Sequence, residues 1–550
     1  VAQSLDALTI LIVDDQRPFQ LMLKGILTGL GAVQMHFATS GEQALSRAML
    51  HSYDLLFVDY NLGAGRNGRQ LLEDLRHNQL LHAQSIFILV TGENTLPMVM
   101  GAVELEPDDY LIKPFSQQVL SRRLSKIQQK KQLLRDLYQA MTEQNSHDII
   151  AACRHHIAQH GLYSQFCRRV LVEHLLHIEQ FDVAETELAH MLEQRQTGWA
   201  LILAAKMHEQ QGSYEKAIHY CDDVINLNKR ATEAYDIKAR CQLKLTQYDA
   251  AVGTVQQGLT ISPFQLERQF LMLEAAQQAG MWQERLNASK QIYEQTRRTS
   301  RQENRHLLNY IRCLIEATAN TDDHARRNRL QQDTFIALQR ACRDDSFSKE
   351  IDVDIFEKIC MARMDSIEGR LNAAQRALGK ILPNLKTGGA ELPDAAMLCL
   401  QIGEFEESAQ LLAQLTEEQK NDPQLTSLLR QQQKQCNAVE AQFSDLNRAG
   451  IRAYREERYL DAYRLFEQTL QLAPYNCSAA LNRIQAALQL LAQETKPANK
   501  KQLPAAFNYC QHSFGYVKQL QLAEKYQQRY QDLLEQYKER CQQLGLASMV

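Results

Sequence analysis

The 550-residue chain has no stretch approaching the roughly 18 consecutive apolar residues that span a bilayer. Its first residues lack a basic segment followed by an apolar core, so no secretory signal is expected. Charge of one sign is also missing. The formal net charge is −4 and the pI is near 6.5, which gives no global electrostatic case for nucleic acid or an anionic membrane surface. The twelve cysteines are scattered singly from Cys153 to Cys541, with no C-x-x-C pair or other ligand spacing. They read as reduced thiols acting as small apolar residues, and the protein is expected to be cytoplasmic. There is no Gly-rich phosphate loop, no G-x-S-x-G elbow and no zinc-ligand quartet. His156 and His160 are four apart, but no further ligand has fitting spacing, so a metal site there is not expected.

What is present is globular: 45% hydrophobic and 23% charged residues, over a length that predicts two or more domains. "LTILIVDD" (8–15) ends an apolar run in two carboxylates, Asp14 and Asp15. A helical pattern follows, with Phe19, Leu23, Ile26, Leu27 and Leu30, closed by Gly31. "VQMHFA" (33–38), "YDLLFVD" (53–59), "SIFILVTG" (85–92) and "DYLIKPF" (109–115) read as further strands, each followed by helix. Ser40 and Gln43 fit a capping box, and Ser116 a cap. Five alternations of strand and helix predict an α/β parallel sheet with helices on both faces.

In such sheets ligands lie beyond the carboxyl ends of the strands. Asp14, Asp15, Asp59, Thr91 and Lys113 all fall at those ends. Three converging carboxylates make the hard-oxygen site that Mg²⁺ prefers. A hydroxyl and an ammonium nearby suit a phosphoryl group, whose oxygens need neutralising on several sides.

Residues 8–127 resemble the receiver (CheY-like) domains of two-component response regulators. The resemblance rests on Asp14-Asp15, strand-end Asp59, Thr91 followed by Gly92, and Lys113-Pro114-Phe115. It implies a flavodoxin-like five-stranded fold. It also implies that Asp59 accepts a phosphoryl group from a sensor histidine kinase or phosphotransfer protein. Asp15, Asp59 and the Asn61 carbonyl would ligate Mg²⁺, with Asp14 reaching it through water. Lys113 would pair with the phosphoryl oxygens, Thr91 and Tyr110 would form the switch pair, and Lys113-Pro114 would be a cis peptide. The loop "YNLGAGRNG" departs from many receivers: it lacks an early proline, and Gly63, Gly65 and Gly68 make it longer and looser.

After Phe115 the strand signals stop. Residues 116–141 read as one unbroken helix without glycine or proline. Internal similarity follows. Gly212-x-Tyr214-x-x-Ala217 recurs 34 residues on as Thr246-x-Tyr248-x-x-Ala251 and again as Gly280-x-Trp282. Gly369-x-Leu371-x-x-Ala374 and Gly403-x-Phe405-x-x-Ser408 repeat the frame. Another unit holds Gly450, Tyr459, Ala462, Phe466 and Pro474. Small residues let two helices approach and the aromatic fills the gap between them, but such a pair buries its face only by stacking on neighbours. The pattern resembles tetratricopeptide (TPR) repeats, which implies an all-α superhelix whose groove binds an as yet unknown protein.

The expected domains are therefore 1–127 (receiver), 128–164 (connecting helices), 165–490 (TPR-like, degenerate near 300–354) and 491–550 (linker and capping helices). On the last helix Tyr526, Tyr530, Leu533 and Tyr537 line one face, read as a cap on the last repeat or, alternatively, a docking face.

The favoured function is a phosphorylation-switched interaction protein, with no enzyme activity beyond receiver-type phosphoryl acceptance and autodephosphorylation. An auxiliary regulator that holds the kinase, or competes for its phosphoryl groups, is the alternative. A DNA-binding transcription factor ranks third, since no basic recognition helix follows the receiver. No nucleic acid or membrane partner is expected, and a homodimer stays open.

Overall fold

The structure is a computed structural model. It describes residues 5–544 except 64, 93–94, 195, 298, 345–346, 348, 350, 495–502 and 523. It divides into two compact units, Val1–His306 and Leu307–Val550.

The first unit opens on five strands: β1 (Thr9–Val13), β2 (Gln34–Ala38), β3 (Leu55–Asp59), β4 (Ile86–Thr91) and β5 (Asp109–Ile112). All pair in parallel in the order β2-β1-β3-β4-β5, the flavodoxin-like order. β3 and β4 are buried along their whole length, as the near-continuous apolar runs of a two-sided parallel sheet require. Alternate residues feed two cores. Leu11, Leu56, Val58 and Leu89 pack on one face, and Ile10, Ile12, Phe57 and Ile88 on the other. The helices are α1 (Arg17–Gly29), α2 (Gly41–Leu50), α3 (Gly68–His77), α4 (Leu96–Val103) and α5 (Gln117–Leu133).

Two local expectations are corrected. Ser40 Oγ accepts the Gln43 N–H at 3.2 Å, but the Gln43 side chain caps Thr39 rather than Ser40, so the capping box is only half formed. The helix expected over 116–141 also breaks. α5 ends at Leu133, and α6 (Arg135–Thr142) begins after Leu134, whose φ of −104° and ψ of 27° leave the helical region. No breaker residue causes this. Lys131 is held back on the sheet domain by Asp108, at 3.0 Å. Leu134 and Leu137 instead bury themselves in the next core with Val170, Leu171 and Leu175. Tertiary packing on both sides bends the chain.

The rest of the first unit is helical: α7 (Ser146–Ala158), α8 (Ser164–His177), α9 (Phe181–Gln194), α10 (Gly198–Gln210), α11 (Tyr214–Leu227), α12 (Thr232–Lys244), α13 (Tyr248–Ile261), α14 (Leu266–Ala279) and α15 (Trp282–Thr296). The recurring motif falls at the hairpin turns. Gly212 and Gly280 take left-handed φ values of 75° and 71°, and the aromatic two residues on opens the next helix. Thr246 adopts the same region at φ 59°, where a β-branched residue is strained.

The second unit is all helical among its described residues. Leu371 and Phe405 open helices just after left-handed Gly369 and Gly403, as Tyr459 does after Glu457. The 300–354 stretch contains helices Asn304–Ala319 and His324–Cys342. Most of the linker read at 496–504 lies outside the described residues. Helices Leu503–Val517 and Glu524–Leu544 follow, and Tyr537 is fully buried against Phe514, with ring centroids 4.9 Å apart. No described helix is long and apolar enough to cross a membrane.

Candidate functional site

Each strand of the sheet centre delivers polar groups where its apolar run stops. β1 ends at Val13 and β3 at Asp59, so parallel pairing brings Asp14, Asp15 and Asp59 to one edge. Ligand oxygens of the three carboxylates lie within 4.8 Å of one another. Asp14 and Asp59 are buried while Asp15 is exposed. Hard anionic oxygens at this spacing, open to water on one side, suit a small divalent cation that keeps part of its hydration shell.

β5 supplies the counter-charge. Lys113 Nζ donates to Asp14 Oδ2 at 2.6 Å and to Asp59 Oδ2 at 3.0 Å. It also lies 3.9 Å from the centroid of the Phe19 ring. Phe19 in turn packs edge-on against Phe115. The ammonium is thus fixed between two carboxylates and an aromatic face. Burial pushes the Asp59 carboxyl above its usual range, with Asp14 adding to the rise. Lys113 and the Asn61 N–H, which bonds the carboxylate, oppose it. The Lys113-Pro114 peptide is cis. Thr91 is buried at the end of β4, and Tyr110 is half-buried on β5 beside the core that holds Leu89 and Ala102.

Three supporting residues were not expected to shape the site. Buried Gln20 on α1 donates to the carbonyls of Asp14 at 2.7 Å and Ala38 at 2.9 Å, tying the acidic turn to β2. Phe19 read only as a core residue. Gly68 opens α3 so close to the site that a Cβ there would lie 2.2 Å from the Asp59 carbonyl oxygen. The glycine-rich loop carried a signal for that last one, though it reads as looseness rather than close approach. His156 and His160 do not converge. His156 bonds Asp136 at 2.8 Å, and His160 is exposed past the end of α7.

Residues 10–125 match the family described as the response regulator receiver domain. The chemotaxis protein CheY of Pseudomonas aeruginosa is 34% identical over 120 residues, 22% of this chain and 94% of that protein. Chemotaxis protein CheY-3 of Vibrio cholerae is 29% identical over 118 residues and is covered over 89% of its length. The probable transcriptional regulator ycf27 of Cyanidium caldarium is 35% identical over 118 residues, 45% of its length.

Proposed function

The chain belongs to the response regulator receiver family through residues 10–125, and from that premise we propose that Asp59 is its phosphoacceptor and that the helical region is the output. The observation that carries this reading is Lys113 bridging Asp14 and Asp59 beside a three-carboxylate cluster. A carboxylate oxygen of Asp59 attacks the phosphorus of a phosphohistidine. The P–N bond breaks, its electron pair returns to the imidazole, and an acyl phosphate remains on Asp59. Mg²⁺, when bound, neutralises the phosphoryl oxygens. Asp15, Asp59 and the Asn61 carbonyl would hold it, with Asp14 reaching it through water. Lys113 is poised to transfer a hydrogen bond from Asp59 to the phosphoryl group, and Thr91 and Tyr110 to reorient with it.

We read the hairpins as TPR-like repeats that bind a protein partner, with domains at 1–127, 128–164, 165–490 and 491–550. The 34-residue recurrence and the left-handed turns support that reading. The partner on the input side is a histidine kinase or phosphotransfer protein. Phosphoryl competition or kinase holding is the alternative output.

Asp59→Asn is expected to abolish acid-labile labelling by a small phosphodonor such as acetyl phosphate, and chelating Mg²⁺ to do the same in the wild type. Full labelling of the Asp59→Asn variant would refute the assignment.

A further inference from the structure

In the second unit, helices Val353–Ile367 and Leu371–Ile381 form a hairpin through the left-handed turn at Gly369, and they line a groove of about 860 Å³. Its floor is apolar: buried Ile355 and Ile381, and half-buried Ala377. One wall is a row of cations on the second helix of the hairpin. Arg376 and Lys380 are four apart and so share a face, and Lys386 follows past the helix end. All three are exposed, and none has a carboxylate within ion-pairing distance among the described residues. Lys386 acts on the buried Glu391 carboxyl only through space. The other wall carries Asp352, Asp354 and Lys358, which are already engaged. Asp352 accepts the Ile355 N–H at 3.2 Å and caps its helix, and Asp354 accepts from Lys358 at 2.8 Å.

We propose that this groove binds an acidic segment of a partner protein, with carboxylates set against Arg376, Lys380 and Lys386 and apolar side chains laid on Ile355 and Ile381. The proposal rests on the helical region being a protein-binding output, and it gives that output a place and a ligand chemistry. The groove presents four cations against two carboxylates, in a chain whose formal net charge is −4. Charge complementarity therefore calls for an anionic occupant. The floor calls for an apolar component as well. Cations in open solvent hold an acidic chain weakly and lose it in salt, whereas apolar burial adds attraction that salt does not screen.

The layout favours a linear ligand carrying carboxylates over one carrying phosphates. A phosphoryl group is held by donors that converge on it from several sides, or by a free helix N-terminus. Here the cations run along one wall, and the N-terminus of helix Val353–Ile367 is closed by Asp352. A single nucleic-acid strand stacks its bases on aromatic faces, and no aromatic side chain lines the groove among the described residues. Asp352 and Asp354 would also repel a phosphodiester chain on its way through. A peptide avoids that repulsion, because it can turn its acidic side chains to one wall and its apolar ones to the floor.

The test is fluorescence anisotropy of the full chain with a short labelled peptide repeating Glu-Glu-Leu, its Gln-Gln-Leu counterpart, and labelled polyuridylate. The Glu-Glu-Leu peptide is expected to bind, and the Gln-Gln-Leu peptide to bind about tenfold more weakly. Arg376→Gln with Lys380→Gln should weaken the acidic peptide by a similar factor, and Arg376→Glu with Lys380→Glu should abolish its binding. Lys216→Glu with Lys229→Glu makes the same charge change in the first unit and should leave binding unaltered. All these side chains are exposed, so an unchanged melting temperature is expected throughout. Acidic-peptide binding that ignores the groove variants, or falls equally in the first-unit variant, overturns the groove and leaves a protein-binding output elsewhere on the helices. Equal binding of the two peptides overturns the acidic ligand. No binding of any probe overturns the proposal alone. Polyuridylate that binds in place of both peptides, and is lost in the groove variants, overturns the proposal together with the protein-binding reading.

Discussion

Each unit has a buried three-membered arginine–carboxylate cluster, and the two are mirror images in charge. In the first unit a single guanidinium, Arg268, sits between two carboxylates, Glu104 and Asp236. In the second a single carboxylate, Asp394, sits between two guanidiniums. Arg312 reaches Asp394 Oδ2 at 2.7 Å and Arg363 reaches Oδ1 at 2.8 Å. Asp394 is fully buried, whereas the side chains of Glu104 and Asp236 keep 12% and 18% of their exposure. The first cluster joins a receiver element to the helices and has a redundant member. The second ties together helices Asn304–Ala319, Val353–Ile367 and Leu392–Ile402, and it too stays paired if one flanking arginine leaves, so that only the loss of central Asp394 unpairs both partners. Burial alone does not make an ion cluster structural. What matters is whether removing one member leaves the rest paired.

The sharpest way to break the comparison is Asp394→Asn. It leaves two desolvated guanidiniums sharing one neutral amide. Beyond that amide, Arg312 would retain hydrogen bonds to Asn309 and the Ala390 carbonyl, at 3.1 and 3.3 Å. The expected loss is about 3–5 kcal/mol, read as a fall in the denaturant midpoint of the transition that unfolds the second unit. A loss under about 1 kcal/mol would show the triad to be replaceable.

Next in size is a charge that has no guanidinium at all. Glu404 is buried, and its carboxylate accepts the Cys477 N–H at 2.9 Å. Burial pushes its pKa up to about 7. The unfolded chain ionises near the ordinary glutamate value, so between that pH and about 7 the folded state holds a proton that the unfolded state has released. This contribution is present in full at acid pH and is lost as the pH rises through about 7. It amounts to roughly 3 kcal/mol over the window. Glu404→Gln, which keeps the acceptor, is expected to flatten that slope and to stabilise the protein above neutrality. An unchanged slope in denaturation midpoints across pH 4.5–8 would show that Glu404 ionises normally.

These two clusters also mark what was legible in the sequence. The sheet, its strand order class and the candidate site could be read because strand-end residues announce themselves: an apolar run that stops at Asp59 or Thr91 places its last side chain without further information. The hairpin turns could be read at Gly212 and Gly280, because a left-handed turn followed by an aromatic has a local signature. Arg268, Asp236, Glu104 and Asp394 could not. Arg268, Asp236 and Asp394 lie in ordinary helices and Glu104 just past one, and each has its partner 31 to 164 positions away. The bend at Leu134 was hidden for the same reason, since two cores compete for one helix and neither is local. Gln20 looked like any helix glutamine.

The smallest effect, and the one that separates the clusters most cleanly, is expected for Glu104→Gln. The amide keeps the shape and can still accept from Ser262 and Arg268, while Arg268 retains its two-pronged pair with Asp236. What is lost is one charge-assisted component at a partly solvated position, about 1–2 kcal/mol. That loss should fall on the contact rather than on the fold. The denaturant midpoint of the first unit moves little, while exchange rises around Ser262 and Arg268 and stays constant in the sheet core around Leu56 and Leu89. If the sheet core loosens together with the contact, Glu104 supports the receiver itself, and the two clusters are then of one kind.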